Sequence, residues 1–318
     1  MFDFLRKNKQ EKDPDPDIVI LSRPEPTECG GTTATQDRSA PKTIESEDMI
    51  LFDVCSAFHP AIDAQAPENA KDRFIFVEAF AAKAGENAFL YLAKQTIREY
   101  DQAPVCAWAL TRKDVFPDLV RLVKEYDFAA QNGFFSETHG LPQNFGGHAQ
   151  IRYASGEKIR FSDNRAPIIP EEAGTRIAKI FTRAIESAPK DLPDDAALTA
   201  IRFEETRENG AYTKAALSIL PDGTGTNRKE KCYEAPTVYQ SQTPVEAETI
   251  AAIRKTIRNS GILAWADLPK SEYRQNEAKR LVFVFRNGAE ITVSGDRLLP
   301  RALAGAFFDL ELELSTKH

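Results

Sequence analysis

The chain has 318 residues, with 41 Lys or Arg and 48 Asp or Glu, so its formal net charge is −7. This length accommodates about two domains with cores of their own, which excludes a small disulfide-stabilised scaffold. The four cysteines form no Cys-x-x-Cys pair, and no apolar stretch approaches the ~18–20 residues that cross a bilayer. These features predict a cytoplasmic protein with reduced thiols and no membrane partner.

The negative charge is unevenly distributed. Residues 1–71 carry 8 basic and 14 acidic groups, whereas residues 72–187 carry 15 of each and residues 196–318 carry 17 basic and 16 acidic groups. Neither of the two longer regions has the basic excess that binds phosphate backbones. We therefore expect no nucleic-acid partner.

The chain opens with an acidic, Pro-rich segment, residues 1–47. Its low apolar content predicts a flexible, disordered N-terminal arm. The apolar residues 18–21 are an exception with two interpretations. They form either a short strand that covers an edge of the protein's own sheet, which we favour, or a linear motif that adds a strand to a partner.

The remaining chain divides at residues 188–195, where two prolines and three aspartates predict a linker. Residues 48–187, the first unit, and residues 196–318, the second unit, repeat one pattern of a helix, a hairpin and a closing helix. Corresponding residues lie 132 or 134 positions apart, as in Phe116 and Ile250, Val123 and Ile257, and Ile151 and Phe283. This predicts an α+β fold in which an antiparallel-sheet unit with two helices per copy is duplicated in tandem.

Three strands are predicted to open each unit, from alternating apolar residues. They span residues 74–80, 89–92 and 105–110 in the first unit, and 201–203, 215–219 and 238–239 in the second. Thr243, Pro244 and Glu246 form a capping-box pattern that predicts the start of the next helix, and Gly261 predicts its end. Residues 222–229 contain a Gly-x-Gly without the strand and helix of a phosphate loop, which favours a mobile turn between strands.

The dipeptide Asn287-Gly288 predicts a tight hairpin turn in the second unit. Both residue types tolerate positive φ, so we expect positive φ at both central positions of this turn. Ser155-Gly156 is a weaker version of the same signal in the first unit.

A first chemical candidate is a metal site formed by Glu137, His139 and His148, with one position open for water. The two histidines lie nine residues apart in an irregular segment, which favours an exposed, variable loop instead. A second candidate pairs Cys55 with His59, one helical turn apart if residues 48–59 are helical. Cys55 lies among apolar residues, which favours a small buried side chain.

A third candidate is the repeated pair Asn164-Arg165 and Asp296-Arg297, which follows the hairpin of each unit. The arginines could face one groove and bind an acidic or phosphorylated ligand, or the pairs could stabilise a turn that both units share. Trp265 and Phe135 follow the central helices and either close the core or form a ligand surface.

No candidate combines a nucleophile, a base and an orienting group, and no cofactor motif is present. The biochemical function is therefore not readable, and the sequence favours a non-catalytic cytoplasmic binding or adaptor protein with a protein partner and no cofactor. One alternative is a hydrolase that uses Glu137, His139 and His148, or Cys55 and His59. Another is an acidic inhibitor of a basic protein partner.

Overall fold

The structure of the protein, a computed structural model, belongs to the mixed α+β class that the sequence predicts. Its described residues form two β-sheets and four α-helices. None of these helices is long and apolar enough to cross a membrane. The structure describes residues 18–22, 31–58, 71–141, 145–188, 195–207, 209–234, 237–270 and 279–315.

Two strands precede the first unit, namely β1 (Ile18–Ser22) and β2 (Thr32–Asp37). The first unit contains β3 (Met49–Ala57), β4 (Phe74–Ala84), β5 (Asn87–Thr96), β6 (Val105–Thr111), α1 (Phe116–Glu125), β7 (Phe134–Thr138), β8 (Gly147–Tyr153), β9 (Lys158–Asp163) and α2 (Glu171–Glu186). The second unit contains β10 (Leu198–Thr206), β11 (Tyr212–Ile219), β12 (Gly225–Glu234), β13 (Thr237–Val245), α3 (Ala247–Ser260), β14 (Lys279–Phe285), β15 (Glu290–Ser294) and α4 (Arg301–Ser315).

The two sheets share a strand order. The first sheet runs β1-β2-β7-β9-β8-β3-β4-β5-β6, and the second runs β15-β14-β10-β11-β12-β13. All described strand pairs are antiparallel except β7 with β9, which is parallel. From β9 to β6 the first sheet therefore follows the same path through its unit as the whole second sheet.

The sheets also share an irregularity of register. The pairing of β3 with β8 shifts between Met49 and Leu51, and the pairing of β10 with β14 shifts between Leu198 and Ala200. Such a shift is a β-bulge, which inserts one extra residue into one strand. Counting from the two bulges along the hydrogen-bonded pairs gives a one-to-one correspondence between the central strands. It matches Asp53, Phe80, Tyr91 and Trp108 with Arg202, Ala216, Arg228 and Gln242.

Each sheet packs one face against the two helices of its own unit. In α1, Phe116, Leu119 and Val123 recur at helical spacing and are buried, and they join a core that also contains α2 and one face of the first sheet. The helices α3 and α4 contribute Ile253 and Leu310 to a second core on the second sheet. Burial of these amphipathic faces provides most of the stability of short helices.

The opposite face of the first sheet, which we call its back face, is also partly covered. Its residues Leu51, Phe80, Phe89 and Tyr91 belong to the same core as the helices of the second unit. Trp108 stacks on Phe89 at 6.1 Å between ring centroids. Its indole N–H donates to the Arg258 carbonyl oxygen (3.2 Å), at the end of α3. The back face of the first sheet therefore holds the second unit in place.

The N-terminal arm contributes two strands to the edge of the first sheet. β1 pairs with β2, which in turn pairs with β7. The apolar residues 18–21 thus form an edge strand of the protein's own sheet, which is the interpretation that we favoured over a motif for a partner. Residues 1–17 and 23–30 of the predicted arm, and residues 189–194 of the predicted linker, lie outside the described residues.

Three local predictions are wrong in whole or in part. β3 is a strand where the Cys55 and His59 pairing required a helix, and it is buried on both faces. A turn does join two strands at residues 221–224, but β12 already begins at Gly225, inside the segment 222–229 that we expected to be a turn. Thr243 and Pro244 lie in β13, so α3 begins at Ala247 with Glu246 as its N-cap and no side-chain cap. The predicted end of α3 is confirmed, since Gly261 is its left-handed C-cap with φ of 65°.

The turn prediction at Asn287-Gly288 is wrong in one respect. Gly288 has positive φ, but Asn287 does not. Gly288 N–H donates to the Phe285 carbonyl, and Phe285 N–H donates to the Ala289 carbonyl. Residues 153–157 form the same pair of bonds around Gly156. Both hairpins therefore use a longer turn in which the glycine alone adopts the left-handed conformation.

Candidate functional site

The second sheet differs from the first in that its back face is open. This open face bears a cavity of about 450 Å³. Strands β10 to β13 line the cavity, and its outward side chains are mostly charged residues and glutamines. A concave surface of this size can hold part of a ligand.

Two cross-strand rows of side chains form the open face, because paired residues of adjacent strands project to the same side. The first row is Gln242, Arg228, Ala216, Arg202 and Val282. The second row is Gln240, Glu230, Lys214, Glu204 and Arg280. In the first row a small alanine separates two arginines that lie two strands, or ~10 Å, apart.

The carboxylates of the open face already have partners. Glu204 accepts hydrogen bonds from the Arg280 guanidinium (Nε to Oε2, 2.7 Å). Glu230 accepts from the Tyr212 hydroxyl (2.9 Å) and from the Gln240 amide (3.0 Å). These bonds, that of Tyr212 above all, lower the pKa of Glu230, and the nearby Lys214 and Arg228 add to the effect. Glu230 is therefore ionised at neutral pH, and because Arg280 holds Glu204, the cavity keeps an unneutralised positive side.

The cations of the first row are less completely satisfied. Arg202 donates from Nη2 to Glu290 (2.7 Å), but its buried Nε has no acceptor among the described residues. Arg228 is exposed, and within the described ranges neither Arg228 nor Lys214 forms an ion pair. Lys214 lies over the Tyr212 ring, 5.0 Å from its centroid. The first row therefore offers guanidinium donors that match a carboxylate or a phosphate group.

The repeated Asn164 and Asp296 have local structural contacts. The Asn164 side chain accepts from the Thr138 backbone N–H (2.7 Å) and donates to the Thr138 carbonyl (3.1 Å). Asp296 is buried, 3.1 Å from the Lys270 ammonium. Thr138 and Lys270 are again 132 residues apart. These contacts join the end of each hairpin to the segment before it, which accounts for their repetition.

The arginines beside these residues differ from each other. Arg165 is exposed, whereas Arg297 donates from Nη1 to the Leu268 carbonyl (2.5 Å). Where the structure describes the chain, no hydrogen bond or ion pair links either arginine to the other. Their role as a ligand site stays a prediction.

The metal candidate is spread over two strands and a turn. Glu137 lies in β7 and His148 in β8, and β9 separates these strands. His139 Nε2 is 3.4 Å from the Thr33 hydroxyl. No group of three or more His, Cys, Asp or Glu side chains among the described residues is arranged to hold a metal ion.

Cys55 lies in a row that sequence spacing did not reveal. Its pair partners are His148 on β8 and Glu78 on β4, and His148 Nε2 is 3.4 Å from Asp53 Oδ1. This row places a thiol beside an imidazole and a carboxylate, and Asp53 adds a second carboxylate on the same face of β3, as a nucleophile needs. Cys55 is only 6% exposed, so a substrate could not reach its sulfur. The other candidate partner, His59, lies outside the described residues.

The two predicted aromatic residues occupy different environments. Trp265 is fully buried and closes the core of the second unit, as one of its two interpretations held. Phe135 lies half-buried in β7 and pairs with Thr35 and Ser162. Neither residue lines the cavity of the open face.

Sequence reasoning missed Arg202, Lys214 and Arg228. A usable signal was the alternation of Thr226, Arg228 and Glu230, which marks one face of a strand, but the residues between them are also polar. No known protein-family model matches this sequence, and a search of curated proteins found no significant relative.

Proposed function

We propose that this chain is a non-catalytic binding protein of the reducing cytoplasm, and that its open face binds an anionic group of a protein partner. The supporting observation is the first row, in which Arg202 and Arg228 flank Ala216 on the floor of the cavity. The alanine leaves space between the guanidinium groups. An anion placed there gains two charged donors without displacing a large side chain.

The charge balance of the open face supports an anion rather than a cation. Glu204 and Glu230 are held by Arg280, Tyr212 and Gln240, so they are not available to bind a positive ligand. The Nε of Arg202 is buried without an acceptor among the described residues, so the hydrogen-bonding capacity of this guanidinium is not filled. A hydrogen bond to a charged group contributes about 1.5–3 kcal/mol.

We also propose that the two units are copies of one ancestral unit. Their common strand order, the bulge at the same place and the same hairpin turn support this. In the first unit, the back face binds the second unit through Phe80, Tyr91 and Trp108. The corresponding face of the second unit would then be a docking surface whose occupant comes from another molecule.

The proposal can be tested with fluorescein-labelled hexaglutamate as a probe of anionic peptide binding, measured by fluorescence polarisation at low ionic strength. We expect Arg228→Gln to weaken binding by about tenfold or more, the equivalent of one charge-assisted hydrogen bond. Arg286→Gln is the matched control, because Arg286 is an exposed arginine outside the cavity. Equal effects of the two substitutions, or no binding by the unsubstituted protein, would contradict the proposal.

A further inference from the structure

The edge of the open face is formed by β13, which has unusual properties for an edge strand. It is nine residues long, and among the described strands none lies beyond it. It contains no charged residue, and all of its residues except Thr243 and Val245 are exposed. Proteins usually protect long edges with charges, proline, bulges or a cover, because an unprotected edge pairs with other chains. In β13 a register shift near its start and Pro244 near its end protect the two ends, which leaves residues 239–243 open to pairing.

The backbone of β13 presents donors outward. Pro244 lacks an N–H and is tolerated in this strand because the nitrogen of its pair with Thr226 faces away from β12. Outward N–H groups alternate with inward ones along an antiparallel strand. Gln240 and Gln242 therefore direct their N–H groups to the free edge, and their side chains lie in the two rows of the open face.

The side chains around this edge differ between its two faces. On the open face the nearest cation is Arg228, the pair partner of Gln242. On the opposite face Tyr239 and Tyr233 form an aromatic pair with ring centroids 6.0 Å apart. They are 58% and 60% exposed. A strand added at this edge would therefore meet Arg228 beside Gln242 and Glu230 beside Gln240 on one side, and aromatic surface on the other.

We propose that β13 binds an extended segment of a partner polypeptide as an added antiparallel strand, with acidic residues alternating with apolar ones. This inference rests on the proposed anion site, since the acidic side chains are recognised by Arg228. A strand beside β13 lies ~10 Å from β12, a distance that a glutamate and an arginine side chain span together. Backbone hydrogen bonds to Gln240 and Gln242 contribute affinity, and the alternating side chains contribute specificity.

The test uses a labelled octapeptide of alternating glutamate and valine with the full-length protein. In an antiparallel added strand, glutamates opposite Gln240 and Gln242 exchange backbone hydrogen bonds with them, while the valine N–H groups point away. We expect N-methylation of the glutamates to weaken binding at least about tenfold, and N-methylation of the valines to leave it nearly unchanged. Amide exchange of Gln240 and Gln242, measured by NMR, slows in the complex.

The possible outcomes separate this inference from the anion site. Equal affinities of the two methylated peptides, or unprotected Gln240 and Gln242 amides in the complex, would overturn strand addition. If Arg228→Gln still weakens binding of the unmethylated peptide in that case, the anion site stands alone. If the unmethylated peptide does not bind but hexaglutamate does, strand addition fails alone, and if neither binds, both proposals fail.

Discussion

The two sheets bear different residues at matched positions of the same face. The back face of the first sheet has Phe80, Tyr91 and Trp108, and the open face of the second sheet has Ala216, Arg228 and Gln242 there. The strand path and the register are the same, but the first set is apolar and lies against the second unit. Burial raises the pKa of the Tyr91 hydroxyl, helped by its bond to the Cys106 thiol. The comparison indicates that side chains alone decide whether this face is an internal interface or an external surface.

The largest effect expected from this comparison comes from placing the same residue at matched positions. Phe80→Gln removes a fully buried ring and buries an amide, so we expect it to lower the free energy of unfolding by at least about 3–5 kcal/mol. Ala216→Gln adds a glutamine to an open face that already bears Gln240 and Gln242. We expect it to lower the free energy of unfolding by about 0.5 kcal/mol or less. Urea denaturation followed by circular dichroism measures both. Similar losses of unfolding free energy would show that the back face of the first sheet is no more buried than the open face of the second.

A smaller effect is expected at the contact between the units. Gly261 and Gly288 both have positive φ, so alanine is strained at either position by about 1–2 kcal/mol. At Gly261 an added Cβ would also meet the Trp108 ring at 2.7 Å, whereas nothing lies within 4 Å at Gly288. We expect Gly261→Ala to cost about 1–3 kcal/mol more than Gly288→Ala in thermal or urea unfolding. Equal costs would mean that the Trp108 contact is not tightly packed.

The helices were predictable because their apolar residues recur at helical spacing, as Ile250, Ile253 and Ile257 do in α3. β3 was not predictable, because a strand buried on both faces has a continuous apolar run that resembles a buried helix. β12 was missed for the opposite reason. Lys229 is buried on its inner face, where burial lowers the pKa of the ammonium group, so polar residues occupy both faces and no alternation is visible.

The candidate site was beyond sequence reasoning for a related reason. Arg202 and Arg228 are 26 residues apart in the chain, and only the pairing of β10 and β12 with β11 places them in one row. A change of one residue in either register would move one arginine to the helix side of the sheet. Register depends on packing and turns throughout the unit, which local patterns do not reveal.

The smallest expected effect concerns the charge balance of the open face itself. Glu230 is ionised at neutral pH because its hydrogen bonds from Tyr212 and Gln240 lower its pKa, and it lies on the same face of β12 as Arg228. Glu230→Gln removes this negative charge, and it should strengthen binding of labelled hexaglutamate by roughly two- to fivefold, the range of an exposed charge interaction. Glu234→Gln makes the same change at the exposed end of β12 and should have a smaller effect. Added salt should reduce the difference, since it screens exposed charges. Weaker binding by Glu230→Gln would mean that this carboxylate positions the cations rather than competing with the ligand.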